Sequence, residues 1–188
     1  MKPIAIAVLT LCLFSCSSEE TETAVEYEYF IQGVIDDRRE AFPQEDIPAV
    51  NTSNTYFTNF QQTWLQAYGA DHGAKNQLWT IRISDVDIQN ITLPYSDWEN
   101  ATASVSWDND LTRYDDRCGI VDGSCVFAAS TLTGLNLVIT GVEDNIITGT
   151  FYGRMTLIGT GFGRFRDESI YVDVEEGEFN IQFRVDDN

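Results

Sequence analysis

Residues 169–185 read S-I-Y-V-D-V-E-E-G-E-F-N-I-Q-F-R-V, and the alternation of their apolar members decides the fold. Ile170, Val172 and Val174 recur at every second position, and so do Phe179, Ile181, Phe183 and Val185. A period of two places each set on one face of an extended strand. The E-E-G between the sets carries a glycine and two acids, and it predicts a turn joining two strands. Immediately upstream, L-N-L-V-I-T-G-V-E-D-N-I-I-T-G-T-F-Y-G-R-M-T-L (135–157) predicts another two strands around E-D-N.

Working outward, the same signals recur. E-Y-E-Y-F-I-Q-G-V-I-D-D (26–37) reads as a first strand, with Tyr27, Tyr29 and Ile31 alternating. R-R-E-A-F-P-Q-E-D-I-P (38–48) holds two prolines and reads as a loop. In residues 77–94, Leu78, Thr80 and Arg82 face one way and Trp79, Ile81 and Ile83 the other. The alternation restarts at Val86 and Ile88, so a turn or bulge is expected near Ser84 and Asp85. A-T-A-S-V-S-W (101–107) and C-V-F-A-A-S (125–130) are further strands. Residues 54–69 are ambiguous. Tyr56, Phe60, Trp64 and Tyr68 stand four apart, as on a helix ending at Gly69, whereas Trp64, Gln66 and Tyr68 alternate as on a strand. The strand reading, paired with residues 78–84, is the one adopted. With no internal repeat and no linker, residues 27–188 predict one all-β domain, an antiparallel sandwich or a lipocalin-like barrel.

The N-terminus carries a different signal. Lys2 is followed by an apolar run from Ile4 to Phe14, broken by Thr10. That run is too short to span a bilayer, which takes roughly 20 apolar residues, but it has the length of a signal-peptide core. Leu13-Phe14-Ser15-Cys16 resembles the lipobox of bacterial lipoproteins. The resemblance implies a leader over 1–15 and acylation of Cys16, with an outer-membrane or cell-surface location. Phe14 departs from the small residue usual at its position. Several acyl chains on one cysteine suit stable anchoring, because each buried methylene contributes about 0.8 kcal/mol and one chain does not suffice. Residues 16–26, C-S-S-E-E-T-E-T-A-V-E, are polar and acidic, and are expected to form a disordered tether.

Composition excludes some partners. Among 188 residues there are 30 acids and 11 Lys and Arg, and past the leader Lys75 is the only lysine. So negative a chain repels phosphate backbones, so nucleic acid is not an expected partner, and membrane contact should run through the lipid. Cys118 and Cys125 flank G-I-V-D-G-S, whose Asp-Gly is a turn signal, so a disulfide at the base of a short hairpin is expected in an exported chain. No second Cys or His pair completes a zinc site.

Few residues promise chemistry. His72, the only histidine, lies in the glycine-containing loop G-A-D-H-G-A-K-N and reads as a surface residue. G-T-G-F-G-R (159–164) lacks the spacing and following helix of a phosphate loop. Asp108, Asp110, Asp115, Asp116 and Asp122 crowd W-D-N-D-L-T-R-Y-D-D-R-C-G-I-V-D-G, a supply of hard oxygen ligands that would suit calcium, although the EF-hand order is absent. A solvated acidic loop is the plainer reading, and no other cofactor is expected. Trp98 and Trp107 are the candidates for stacking on a ligand.

The lipobox, the acidic tether, the first strand E-Y-F-I-Q-G-V-I-D-D and the terminal I-I-T-G-T-F-Y-G…V-E-E-G-E-F-N-I-Q-F together resemble a group of Bacteroidota lipoproteins with a single lipocalin-like or sandwich domain. Acids directly behind the cysteine resemble a surface-export signal of such lipoproteins. The resemblance covers both ends of the domain but not its middle, and it carries no catalytic residues. It implies a non-enzymatic protein that binds or scaffolds a small ligand, a glycan or an envelope partner. The rival expectations are an envelope hydrolase acting on glycan or lipid and a purely structural domain.

Overall fold

The structure is a computed structural model that describes residues 27–44, 54–69, 78–110, 124–160 and 167–187. It is all-β. The strands are β1 (Phe30–Ile35), β2 (Arg38–Pro43), β3 (Thr55–Phe57), β4 (Gln62–Tyr68), β5 (Leu78–Ser84), β6 (Thr102–Asp110), β7 (Ser124–Ser130), β8 (Asn136–Glu143), β9 (Ile146–Thr160), β10 (Asp167–Gln182) and β11 (Arg184–Asp186). They form one sheet in the order β11-β3-β4-β5-β6-β7-β9-β10-β1-β2, with β8 also on β9. Every pairing is antiparallel except β11 with β3. Only Phe183 separates β10 from β11. The ladder that leaves β10 through β9 therefore returns to the same stretch of chain through β3. This is an architecture of the sandwich or lipocalin-like kind.

The strand signals at 101–107, 125–130 and 135–157 are realised as β6, β7 and the β8–β9 hairpin. Asp144 and Asn145 both have positive φ, 50° and 62°, and connect Glu143 to its partner Ile146. That is the two-residue turn whose backbone twist matches a hairpin, and Asp and Asn tolerate it better than most residues. The ambiguous stretch resolves as strand: β4 pairs with β5 from Gln62↔Ser84 to Tyr68↔Leu78. Asp85 takes a φ of 64° where β5 ends, and Val86 and Ile88 turn into the core from the following loop.

Two expectations need correcting. Residues 38–43 are a strand, not a loop. Asp36 and Asp37 form the same kind of turn, at φ 49° and 62°, and send the chain straight back along β1. Pro43 is compatible with this because β2 ends the sheet path, where a missing donor costs little. The second correction concerns E-E-G. It is not a turn; β10 is one strand of 16 residues that runs through it. The register with β9 slips between Val174 and Gly177, and that with β1 slips between Gln32 and Val34, so 175–177 is a bulge. One extra residue shifts a strand's parity. Hence the inward residues are even before it (Val172, Val174) and odd after it (Gly177, Phe179, Ile181).

Gly177 is required at the bulge by close approach. A Cβ there would overlap the Phe151 carbonyl oxygen and lie 2.6 Å from a carbon of the Phe151 ring. The preceding Glu176 holds a φ of 47°. Inside, the core runs along all the long strands and is dominated by large rings. Trp79 stacks on Trp107 at 5.9 Å, Trp107 meets Phe127 at 6.1 Å, Trp79 meets Phe151 at 5.6 Å, and Phe151 meets Phe179 at 6.5 Å. Trp79 Nε1 donates to the Glu40 carbonyl at 3.2 Å, tying β5 to β2 across the interior.

Candidate functional site

Of the two tryptophans singled out from the sequence, Trp107 is a core residue and Trp98 keeps part of its surface exposed. Trp107 is fully buried in the ring stack, so it offers no surface for a ligand. Trp98 lies half-buried over the open edge of β8 and donates from Nε1 to the Leu137 carbonyl at 2.9 Å. Its neighbour Tyr95 exchanges backbone hydrogen bonds with Ile139 at 2.9 and 3.0 Å and packs edge-on against Trp98 at 5.0 Å. The segment therefore covers a sheet edge that would otherwise present unpaired backbone groups. Burial raises the Tyr95 phenol above its ordinary value.

The acidic run does not begin as a loop. Asp108 and Asp110 are ladder residues of β6, opposite Val126 and Ser124 of β7. Asp115, Asp116, Asp122, Cys118, Cys16 and His72 lie outside the described residues. Among the described residues no three His, Cys, Asp or Glu side chains come together to hold a metal ion. Cys125 is fully buried near the start of β7. No helix of the described residues is long and apolar enough to cross a membrane.

Among the described residues, a charged and aromatic row lies on the outer wall of β9, β10 and β1. Even-numbered residues of β9 point outward and present Tyr152 and Arg154. Odd-numbered residues of β10 do so before the bulge and present Tyr171 and Asp173. The bulge then leaves Glu175 and Glu176 exposed side by side. Arg154 and Asp173 are direct cross-strand partners. The guanidinium forks the carboxylate, Nε to Oδ1 and Nη2 to Oδ2, both at 2.9 Å. It also lies 3.6 Å from the centre of the Tyr171 ring. These hydrogen bonds hold the Asp173 carboxyl below the usual range and push the Arg154 guanidinium up. Beyond them, Arg39 meets Glu176 at 3.0 Å and Gln32 Nε2 donates to Glu178 at 2.9 Å.

Two shallow concavities flank this row. One, of about 510 Å³, is lined by Val34, Asp36, Asp37, Tyr171 and Asp173 among others. The other, of about 580 Å³, runs over Tyr152, Arg154, Glu176 and Glu178. An arrangement of exposed rings beside carboxylate acceptors can hold hydroxyl-rich or cationic groups by stacking and hydrogen bonding. Sequence reading missed Arg154, Tyr171 and Asp173. Their alternation was legible, but their meeting depends on a cross-strand register that the bulge offsets.

On comparison with known proteins, no family model, no curated protein and no solved structure matches the chain.

Proposed function

We propose that the chain is a lipid-anchored protein of the bacterial envelope, akin to the Bacteroidota lipoproteins it resembles, whose β domain is a non-catalytic binding or scaffolding module. In this reading residues 1–15 are removed, Cys16 carries the acyl chains, and residues 17–26 tether the domain at the outer membrane or cell surface. The filled interior speaks against an internal ligand chamber and favours scaffolding, so the observation that supports binding is the exposed outer wall. Trp79, Trp107, Phe127, Phe151 and Phe179 occupy the space where a lipocalin-like chamber would lie. A partner is then met on the outer wall, where Tyr152, Tyr171 and the carboxylates of β10 are exposed.

The assignment of no catalysis is supported by what holds the perturbed carboxylates. Among the described residues, the carboxyls held below the usual range are each engaged by neighbours: Asp173 by Arg154, Asp167 by Ser169, and Asp87 by Asn90, Tyr56 and the Gln89 amide. A disulfide from Cys125 to Cys118 belongs to the same reading. It is supported by the complete burial of Cys125 and by a sulfur that is bonded rather than free.

The test is made in cells carrying the full chain. A photoreactive side chain is placed at position 171, on the wall, or at position 106, on the outer face of β6. Wild-type Cys16 is compared with Cys16→Ala. The reading expects a discrete adduct from position 171 but not from position 106, and release of the Cys16→Ala chain from the membrane fraction. Identical adduct patterns from the two positions would refute the wall; retention of Cys16→Ala on the membrane would refute the anchor.

A further inference from the structure

Leu132, Phe60 and Leu93 are 74%, 67% and 39% exposed and are the most exposed hydrocarbon side chains among the described residues. All three lie on connections between strands, and the register places the strand ends that flank those connections at one end of the molecule. Phe60 sits in the 3-10 turn Thr58–Phe60 just before β4. Gln62, at the start of β4, pairs with Ser84, where β5 ends and the loop bearing Leu93 leaves. Ser84 pairs in turn with Thr102, where that loop returns as β6. Ser130, at the end of β7, pairs with Ser104 two residues further on, and Leu132 follows in the turn Thr131–Thr133.

The chain also enters the domain at this end. β1 begins at Phe30, paired with Asn180 near the end of β10. Asn180 Nδ2 donates to the Glu28 carbonyl at 2.8 Å. A few residues on, the Asp186 carbonyl accepts from Thr58 Oγ1 at 3.3 Å, beside Phe60. The point of tether attachment, the end of β10 and the connection bearing Phe60 thus share one side.

We infer that this end is a lipid-facing surface: Phe60, Leu93 and Leu132 seat against the bilayer that holds the acyl chains of Cys16. The inference rests on the lipid-anchor reading. Residues 16–26 number eleven, and at ~3.6 Å each they reach about 40 Å when fully extended. A tether of that reach leaves the end it joins nearest the membrane on average, and the apolar side chains there supply the rest of the orientation. Exposed Phe and Leu side chains at that end can bury themselves at the boundary between headgroups and acyl chains. The same connections carry Asp85, Asp97 and Glu99. These repel anionic headgroups, so the surface it fits is a neutral, zwitterionic one.

The test uses the full chain made in a host that processes lipoproteins. Intact mass first reports whether Cys16 is acylated. The purified protein is then placed in phosphatidylcholine vesicles whose acyl chains carry bromine, a short-range quencher of tryptophan. Phe60→Trp and Leu132→Trp put reporters at the proposed surface, and Tyr171→Trp puts one on the wall; the wild-type signal is subtracted from each. Near-ultraviolet circular dichroism confirms that each variant is folded, and Phe60→Tyr and Leu132→Tyr serve as gentler substitutes read by iodide protection. The expected result is an at least twofold fall in reporter emission at positions 60 and 132 and almost none at 171. The fall should weaken when anionic lipid replaces part of the phosphatidylcholine. Equal quenching at all three positions, or at none, on an acylated protein overturns the orientation and leaves the anchor standing. An unacylated Cys16 overturns both.

Discussion

The bulge at 175–177 can be tested by a single methyl group. Gly177→Ala would place a Cβ against the Phe151 carbonyl oxygen and within 2.6 and 2.7 Å of two carbons of its ring. The ring could tilt, but the carbonyl is a ladder group of β9, opposite Gly177 itself, and cannot. Overpacking of this kind costs typically 1–3 kcal/mol, and the backbone contact argues for the upper half, about 2–3 kcal/mol. A domain of this size loses roughly 2–4 °C of Tm per kcal/mol, so a fall of about 4–12 °C is expected. The neighbouring Glu176→Gly should leave stability unchanged or raise it by up to about 1 kcal/mol. It relieves a left-handed φ, worth about 1 kcal/mol, against the loss of an exposed ion pair with Arg39, worth about 0–1 kcal/mol. The assay is urea unfolding followed by tryptophan emission, which reports directly because Trp79 touches Phe151. Were 175–177 a hairpin turn instead, Gly177→Ala would pack against nothing. A Gly177→Ala midpoint within 0.5 kcal/mol of wild type, by the usual scatter of surface changes, would refute the continuous strand.

Three other outcomes follow from the same coordinates. Trp107→Ala should cost about 3–5 kcal/mol, the range for removing a buried large ring, while Trp98→Phe should cost only about 1–2 kcal/mol by leaving the Leu137 carbonyl without its donor; urea midpoints decide, and the reverse order would make Trp98 the core residue. The Tyr56 phenol is pushed up to about 12 by burial first and by its 3.1 Å hydrogen bond to Asp87 second. Because the folded value exceeds the unfolded one, this stabilisation is whole below pH ~10 and is lost as pH rises from about 10 to 12, in total about 3 kcal/mol at ~1.4 kcal/mol per unit. Stability measured across that window should fall less in Tyr56→Phe than in wild type.

Much of the fold was legible because a period of two survives inspection without knowing what pairs with what. β6, β7, β8 and β9 followed from alternation and turn chemistry alone. The two misread stretches share a cause. Arg38–Pro43 reads as a loop by composition, and only the geometry of Asp36 and Asp37 makes it a strand. E-E-G reads as a turn by composition, and the parity change from Val174 to Phe179 is compatible with a turn as well as with the bulge the strand holds. A turn resets parity arbitrarily, whereas a bulge shifts it by one, and sequence does not distinguish the two. The candidate wall was illegible for a further reason. Arg154 and Asp173 stand on different strands, and their meeting is a property of register. Trp107 misled because size and rarity do not say which face of a strand a ring will cover.

The pairing of β1 with β10 has a consequence in time. The hydrogen bond from Asn180 to Glu28 spans 152 positions of chain, and that from Arg184 to Thr55 spans 129. Hairpins such as β8–β9 can form locally in about 1–10 μs. The loops that must close before β10 meets β1 and β11 meets β3 are long, and their entropy is lost before any contact repays it. Topologies dominated by such distant pairings fold over milliseconds to seconds. A newly made chain would thus pass through an interval in which its hairpins exist and its ends have not yet met. During that interval the edge of β10 that will meet β1 is open to pairing with another chain.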